Sequence, residues 1–585
     1  MNNTKLDWQV LQPQTDYLTH FLSQTDEKAS DCFTKVQARL ANGLSTFIQS
    51  TASSMLMLVK TANNSRNLTL LCEQLATLNP INETILTGGH YTHEEHQISW
   101  REAISIDDNF SCHSGHIEIA DWIESEQLFG CVREFQQKLM LEPGLIHRIN
   151  GGTLIISLRT ILTQPLMWLR LKKIFQSQQY IWHSPDETRT LPVAIHPMPL
   201  RFRLLIAGDR DALAEFQETE PELAAFAIYS EFEDEMHIEQ DGKIGDWCQW
   251  VRYVTDDLHS KVVQPDLWPV LIKEGGRYTG DNKVLPLCPC WINRQLQEAI
   301  FYSKEEPLTG QHLNNALETR AWREGFLAQQ IHDDILSEQI QIKTFGQVTG
   351  QVNGLSVVEF PGHPRAYGEP FRISCVVHPG DGEFTDVERK IELGGSIHAK
   401  GVMILQAWLV SQLKLDQQIP FSASLVFEQS YSEFDGDSAS LAELCALISA
   451  LASQPVNQHI AVTGSIDQFG NVQPVGGVNE KIEGFFKICA QRGLIGNQGV
   501  ILPVSNIRHL SLRDEVVAAV KAGNFHLWAV SQVEQAVPLL MNLGWQSEHP
   551  PCLLGIIQQR INHLHQQDGR QRCWSLRLRN WFSKN

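Results

Sequence analysis

Short apolar runs alternate with stretches of helical spacing through the first 225 residues or so. Met55-Leu56-Met57-Leu58-Val59, Gly152-Thr153-Leu154-Ile155-Ile156 and Leu204-Leu205-Ile206-Ala207 read as strands buried on both faces of a parallel sheet. Helical patterns lie between them, as in Trp168 to Phe175. Strand–helix alternation of this kind predicts a doubly wound α/β unit. From about 226 to 305 the spacing is mostly helical. Helices continue from about Leu313 to Ile340, with charged faces such as Glu318-Thr319-Arg320 and Arg323-Glu324, and a boundary falls near Lys343. From Gly346 onward glycines and β-branched residues rise. Alternation in Val348 to Val358 and in Phe371 to Val377 predicts strands and hairpins. The chain therefore reads as an α/β multidomain protein: an α/β module over 1–225, a helical lid and connector over 226–342, an α+β domain over 343–545, and a basic tail over 546–585.

Within the α+β domain, Leu441 to Leu451 carries apolar residues at 441, 444, 448 and 451, so one helical face is core. Asp435 or Asp437 would cap this helix and place Ser438 in its first turn. Unpaired N–H groups at the helix start would then be available to an oxyanion. His459 to Thr463 reads as a strand, and Ser465 to Val472 as a strand pair around a glycine turn. Gly476-Gly477 precedes a second helix, Val478 to Gln491, with Gly493 as its stop. Lys481 lies early in that helix, where the dipole disfavours positive charge. A serine hydroxyl is a poor nucleophile until a base takes its proton, and a lysine buried among apolar groups can be that base. Alone, each segment also reads blandly, as an ordinary capped helix and a solvated lysine. His398 and Lys400, in the loop entering the helix Val402 to Leu413, are rival bases, for which capping or packing is the better explanation. No GxSxG elbow marks a Ser-His-Asp triad.

Composition narrows the picture modestly. At 585 residues with 42% apolar content, there is ample material for several packed cores. A formal charge of −20 argues against nonspecific nucleic-acid binding by the whole chain. The first residues lack a charged region feeding an apolar run, and no stretch reaches the roughly 18 apolar residues of a bilayer span. Twelve scattered cysteines read as buried thiols of a reduced, cytoplasmic protein. Cys288-Pro289-Cys290 has no second pair at zinc-site spacing, so no metal site is expected.

Phe427-Glu428-Gln429-Ser430-Tyr431, Asp435-Gly436-Asp437-Ser438-Ala439-Ser440, Ala461-Val462-Thr463-Gly464-Ser465 and Gly476 to Lys481 resemble, in order and spacing, the proteolytic domain of Lon-type peptidases. The branch they most resemble carries the serine motif GDSAS. The resemblance runs from about Gly346 to Leu540. It implies a serine endopeptidase with Ser438 as nucleophile and Lys481 as general base. Thr463 matches the threonine that bonds the lysine amine. Glu428 matches a glutamate near the substrate groove, with a fold-holding hydrogen bond as the equal alternative. The resemblance also implies protein substrates and a homo-oligomeric ring of six subunits.

The strand order of the first module resembles an AAA+ module of the Lon-like branch, with Pro143 to Gly152 leading into its Walker B strand and Phe202 to Arg210 similar to a later strand. The catalytic parts are degenerate. After Val59 the chain reads Lys60-Thr61-Ala62-Asn63-Asn64-Ser65-Arg66-Asn67, without phosphate-loop glycines or a Lys-Ser/Thr pair. The Walker B strand ends in Ser157-Leu158-Arg159 instead of acids. Cleavage without ATP hydrolysis is therefore expected, with no cofactor required and nucleotide binding unsupported. The alternatives are an ATP-regulated Lon homolog and a non-catalytic scaffold for a client or ribonucleoprotein. The tail interleaves Arg560, Arg570, Arg572, Arg577, Arg579 and Lys584 with Trp574, Trp581 and Phe582. Packing on acidic neighbours is favoured for it over contact with nucleic acid or a membrane.

Overall fold

The computed structural model describes residues 4–15, 32–50, 55–94, 96–135, 138–184, 190–239, 242–255, 263–304, 306–414, 419–429, 435–546 and 551–564. The first module is built on five parallel strands: β1 (Leu56–Lys60), β2 (Ile117–Ala120), β3 (Thr153–Ser157), β4 (Arg203–Gly208) and β5 (Ile228–Glu231). Their order across the sheet is β5-β1-β4-β3-β2. Period-two alternation explains why these runs are apolar throughout. Met57, Val59, Ile155, Leu205 and Ala207 face one core, while Leu56, Leu58, Leu154, Ile156, Leu204 and Ile206 face the other.

The expected boundary at 225 cuts before β5, whose pairing with β1 makes it part of the sheet. The lid is not a separate body either. Trp247, Trp250 and Trp268 lie in the same core as the β1 face carrying Met57 and Val59. An antiparallel sheet spanning 82–114, which the apolar pattern did not suggest, is inserted between the helix α1 (Ser65–Leu78) that follows β1 and strand β2. The lid contributes α2 (Leu267–Thr279).

The second domain holds a seven-stranded mixed sheet. Its strands are β6 (Gln351–Val358), β7 (Tyr367–Pro379), β8 (Phe384–Asp386), β9 (Phe421–Glu428), β10 (Ile460–Val462), β11 (Gln498–Pro503) and β12 (Phe525–Val530). The order is β8-β9-β7-β6-β10-β11-β12. Three helices matter for the site: α3 (Ser396–Leu413), α4 (Ser440–Ala452) and α5 (Val478–Arg492). Every residue of α4 except Ala450 is buried, as befits a mostly apolar helix central to the core.

Both chain ends depart from the expected domains. The Leu6 N–H donates to the Leu527 carbonyl (2.9 Å) and the Ala529 N–H to the Thr4 carbonyl (2.7 Å), so the N-terminal segment extends the sheet along β12. Leu11 is fully buried beside Leu510 and Leu512. Residues 553–564 form a helix whose Leu553, Ile557 and Ile561 join the core around Trp545. Arg560 donates to the Ala450 and Leu451 carbonyls at the C-terminal end of α4. The stretch from 551 to 564 is thus part of the domain. The rest of the basic tail, from 565 on, lies outside the described residues.

The lid is latched to the proteolytic half by Arg277 of α2. Its guanidinium donates to both Glu483 oxygens (2.5 and 2.7 Å) and to Glu480 (3.2 Å), on either side of Lys481 in α5. A fork-to-carboxylate bond of this kind is geometrically specific.

Candidate active site

Ser438 and Lys481 come together at the end of β10. Lys481 Nζ lies 2.9 Å from Ser438 Oγ and 3.3 Å from Thr463 Oγ1, to which it donates. The Thr463 hydroxyl donates in turn to the Ser438 carbonyl (3.4 Å), leaving an oxygen lone pair for the amine. Thr463 is fully buried and Lys481 is 3% exposed, whereas Ser438 is half-buried and reachable. Burial pulls the lysine amine from 10.5 down to about 8, and the Asp437 carboxylate partly opposes that shift. A neutral amine at 2.9 Å can accept the hydroxyl proton, and an ammonium at the same place can return it.

Close backbone contact fixes the helix that carries Lys481. A Cβ on Gly484 would lie 2.1 Å from the Gly368 carbonyl oxygen, and one on Gly368 would lie 2.0 Å from the Glu480 carbonyl oxygen. α5 therefore lies directly on β7 with no side chain between them. Gly484→Ala is expected to push the helix outward and lengthen the Lys481–Ser438 contact. A misplacement near 1 Å costs roughly 100-fold in rate, so a peptide-cleavage assay should show a kcat loss of about 10- to 100-fold. An unchanged kcat would mean that the close approach does not set the base.

The nucleophile segment differs from expectation. α4 begins at Ser440, so Ser438 sits in the turn before the helix, not in its first turn. Neither aspartate caps α4. Asp435 Oδ1 accepts from the Ile397 (2.8 Å) and His398 (3.1 Å) N–H groups, and so caps α3. Asp437 Oδ2 accepts from the Ser465 hydroxyl (2.8 Å). The N–H groups of Ser440 and Leu441 are taken by the Asp437 and Gly464 carbonyls, so those two are not open to an oxyanion.

Glu428 ends β9, where it accepts from the Ser374 hydroxyl (2.6 Å) with Arg372 at 3.7 Å. Its contacts are those of a sheet-holding residue. Of the rival bases, His398 is buried beside Asp386 at 3.1 Å, and Lys400 is exposed on α3. Sequence reasoning missed Gly368 and Gly484, and their signal was only two glycines among many.

The side chains of the 60–67 loop bond to one another and to the end of β3. Asn64 accepts from the Asn67 N–H (2.8 Å) and caps α1. The Asn67 amide donates to Thr61 (2.7 Å), and the Ser157 hydroxyl at the end of β3 donates to Asn63 (3.1 Å). Lys60 is ion-paired with Asp234, and Arg66 lies 3.5 Å from Glu73. Among the described residues, one cluster of metal-ligand type comprises Glu126, Cys131 and Glu142. Arg133 already supplies its cation, donating to Glu126 (2.6 Å) and Cys131 (3.2 Å) and pairing with Glu142 (3.0 Å).

Residues 431–542 match the model of the Lon protease (S16) C-terminal proteolytic domain, and residues 116–233 match a LonB-like AAA domain. A Lon protease homolog of Escherichia coli (strain K12) is 53% identical over the full length of both chains.

The chain belongs to the Lon protease family.

A second Lon protease homolog, from Haemophilus influenzae, is 40% identical over 95% of this chain and 93% of its own length. An archaeal Lon protease of Pyrococcus abyssi is 25% identical over 64% of this chain and 36% of its own length. The AAA-like domain followed by a Lon proteolytic domain is thus a family architecture, and the chain is a Lon-like peptidase. Among the described residues, no helix is long and apolar enough to cross a membrane.

Proposed function

We propose that this Lon-like peptidase is a serine endopeptidase working through a Ser438–Lys481 dyad without ATP hydrolysis. The carrying observation is the 2.9 Å contact between Ser438 Oγ and a buried amine pulled down to about 8. Ser438 Oγ attacks the substrate carbonyl carbon while Lys481 Nζ takes the hydroxyl proton. The tetrahedral intermediate collapses as the ammonium gives that proton to the departing amine. Water, deprotonated by the same amine, then cleaves the ester. Thr463 aims the lysine lone pair. The Ser438 N–H, next to Oγ along the chain, is the proposed oxyanion donor.

The silent nucleotide module rests on the closed 60–67 loop and on Ser157 where an acid would hold Mg²⁺. Substrates are unfolded or loosely folded proteins, because nothing in this reading supplies power for unfolding. We further propose a homo-oligomeric ring of six subunits, as in the family, acting in the cytoplasm. The thiols of the described cysteines are all unpaired, in keeping with a reduced compartment.

Denatured casein incubated with the purified protein, with and without ATP–Mg²⁺, tests the nucleotide part. Equal rates and no ATP binding by equilibrium dialysis are expected. A rate that needs ATP would assign the protein to ATP-dependent proteolysis.

A further inference from the structure

Four ionisable side chains meet inside the protein beneath the nucleophile turn. Asp386 ends β8, Glu388 lies in the short helix Val387–Lys390, His398 is in the first turn of α3, and Glu443 is in α4. All four are more than nine-tenths buried. His398 Nε2 lies 3.1 Å from Asp386 Oδ2, and its Nδ1 lies 3.6 Å from Glu443 Oε1. The Phe427 ring of β9 meets the imidazole edge-on at 5.3 Å, and the Phe427 N–H donates to Glu388 (3.0 Å).

Three carboxylates and one imidazole in a dry site cannot all stay ionised. Burial pushes Glu443 up to about 7, with His398 lowering it and Asp386 and Glu388 raising it. Burial likewise raises Glu388, on which Asp386 and the nearby Glu428 also act. For His398, burial acts downward, but the contact with Asp386 and the charges of Glu443, Asp386 and Glu388 outweigh it, so the imidazolium is favoured.

Chain connectivity makes this more than a buried cluster. The backbone N–H of His398 donates to Asp435, three residues before Ser438. Its ring reaches Glu443, five residues after Ser438. Both ends of the nucleophile segment therefore converge on one residue.

We propose that His398 is a positioning residue for Ser438: its backbone N–H to Asp435 and its imidazolium to Asp386 and Glu443 fasten both ends of the 435–443 segment and set the reach from Ser438 to Lys481. This rests on Ser438 being the nucleophile. A raised imidazole contributes fully below its ordinary value and loses that contribution as pH rises through the raised one. In His398→Gln the same acids face a neutral amide at every pH. Lys481 titrates in both proteins, so its effect cancels in a rate ratio.

The test measures kcat and KM for casein cleavage from about pH 6 to about pH 9 in wild type, His398→Gln and Asp435→Ala, with thermal melts to confirm folding. For His398→Gln, kcat at least about tenfold lower at the acid end is expected, with KM unchanged and the deficit shrinking toward the alkaline end. Asp435→Ala removes the acceptor of the Ile397 and His398 N–H groups and so breaks the other anchor, and its deficit should be the same at every pH. A pH-independent ratio for His398→Gln would reduce the residue to packing and overturn the proposal. So would wild-type kcat in either variant. No cleavage by wild type, or cleavage that survives Ser438→Ala, would instead overturn the dyad on which the proposal stands.

Discussion

Ser438→Ala is expected to lower peptide cleavage by at least about 1,000-fold while leaving the melting temperature within a few degrees of wild type. The hydroxyl makes one close contact, with Lys481, and the segment is held at Asp435, Asp437 and Gly464 by bonds that do not involve it. Removing the nucleophile of a dyad leaves only binding and electrostatic stabilisation, so the loss approaches the whole covalent contribution. The variant should still bind unfolded substrate, and a fluorescence-anisotropy titration with a labelled denatured protein would check that. A loss of binding together with cleavage would mean that Ser438 holds the fold of the site.

Lys481 should have the second-largest effect, with a distinctive pH signature. The amine must be neutral to accept a proton, and its value is about 8. Wild-type kcat is then expected to rise with pH, with roughly a tenth of the amine neutral at pH 7, half at 8 and nearly all at 9. Lys481→Met fills similar apolar volume without a base and should lose about 1,000-fold on the alkaline plateau, its residual rate lacking the rise around pH 8. Since burial disfavours the charged amine, removing it is expected to favour the fold at low pH. Denaturant melts would check the sign: a variant less stable than wild type at pH 6 would mean that Asp437 and the two hydroxyls outweigh the cost of burying the ammonium.

The meeting of the candidate dyad residues was legible in the sequence because its signals are local. Ser438, Thr463 and Lys481 each sit in short blocks whose neighbours define a turn, a strand end and a helix start, and the structure brings all three together. The strands at 56–60, 153–157 and 203–208 were legible for a similar reason, since a strand covered on both faces must be apolar at every position.

What escaped was non-local. Asp435 looked like a cap for the helix that follows it, yet it caps α3, accepting from the N–H of Ile397, 38 residues upstream. No rule of local spacing can tell which of two helix starts a carboxylate will reach. The pairing of Leu6 with Leu527 and the burial of residues 553–564 join segments far apart in the chain, and their own patterns are too short to announce it. The 82–114 sheet was hidden by its polar composition, since one face of an antiparallel sheet can remain solvated. The Gly368–Gly484 contact depends on a crossing between a strand and a helix more than a hundred residues apart.

Cleavage of denatured casein in the absence of nucleotide, with wild type and Ser438→Ala assayed side by side at pH 8, is the most direct measurement. Nucleotide-free cleavage by wild type with none by the variant is the expected result. Cleavage by both proteins, or by neither, would contradict a Ser438–Lys481 peptidase that works without ATP.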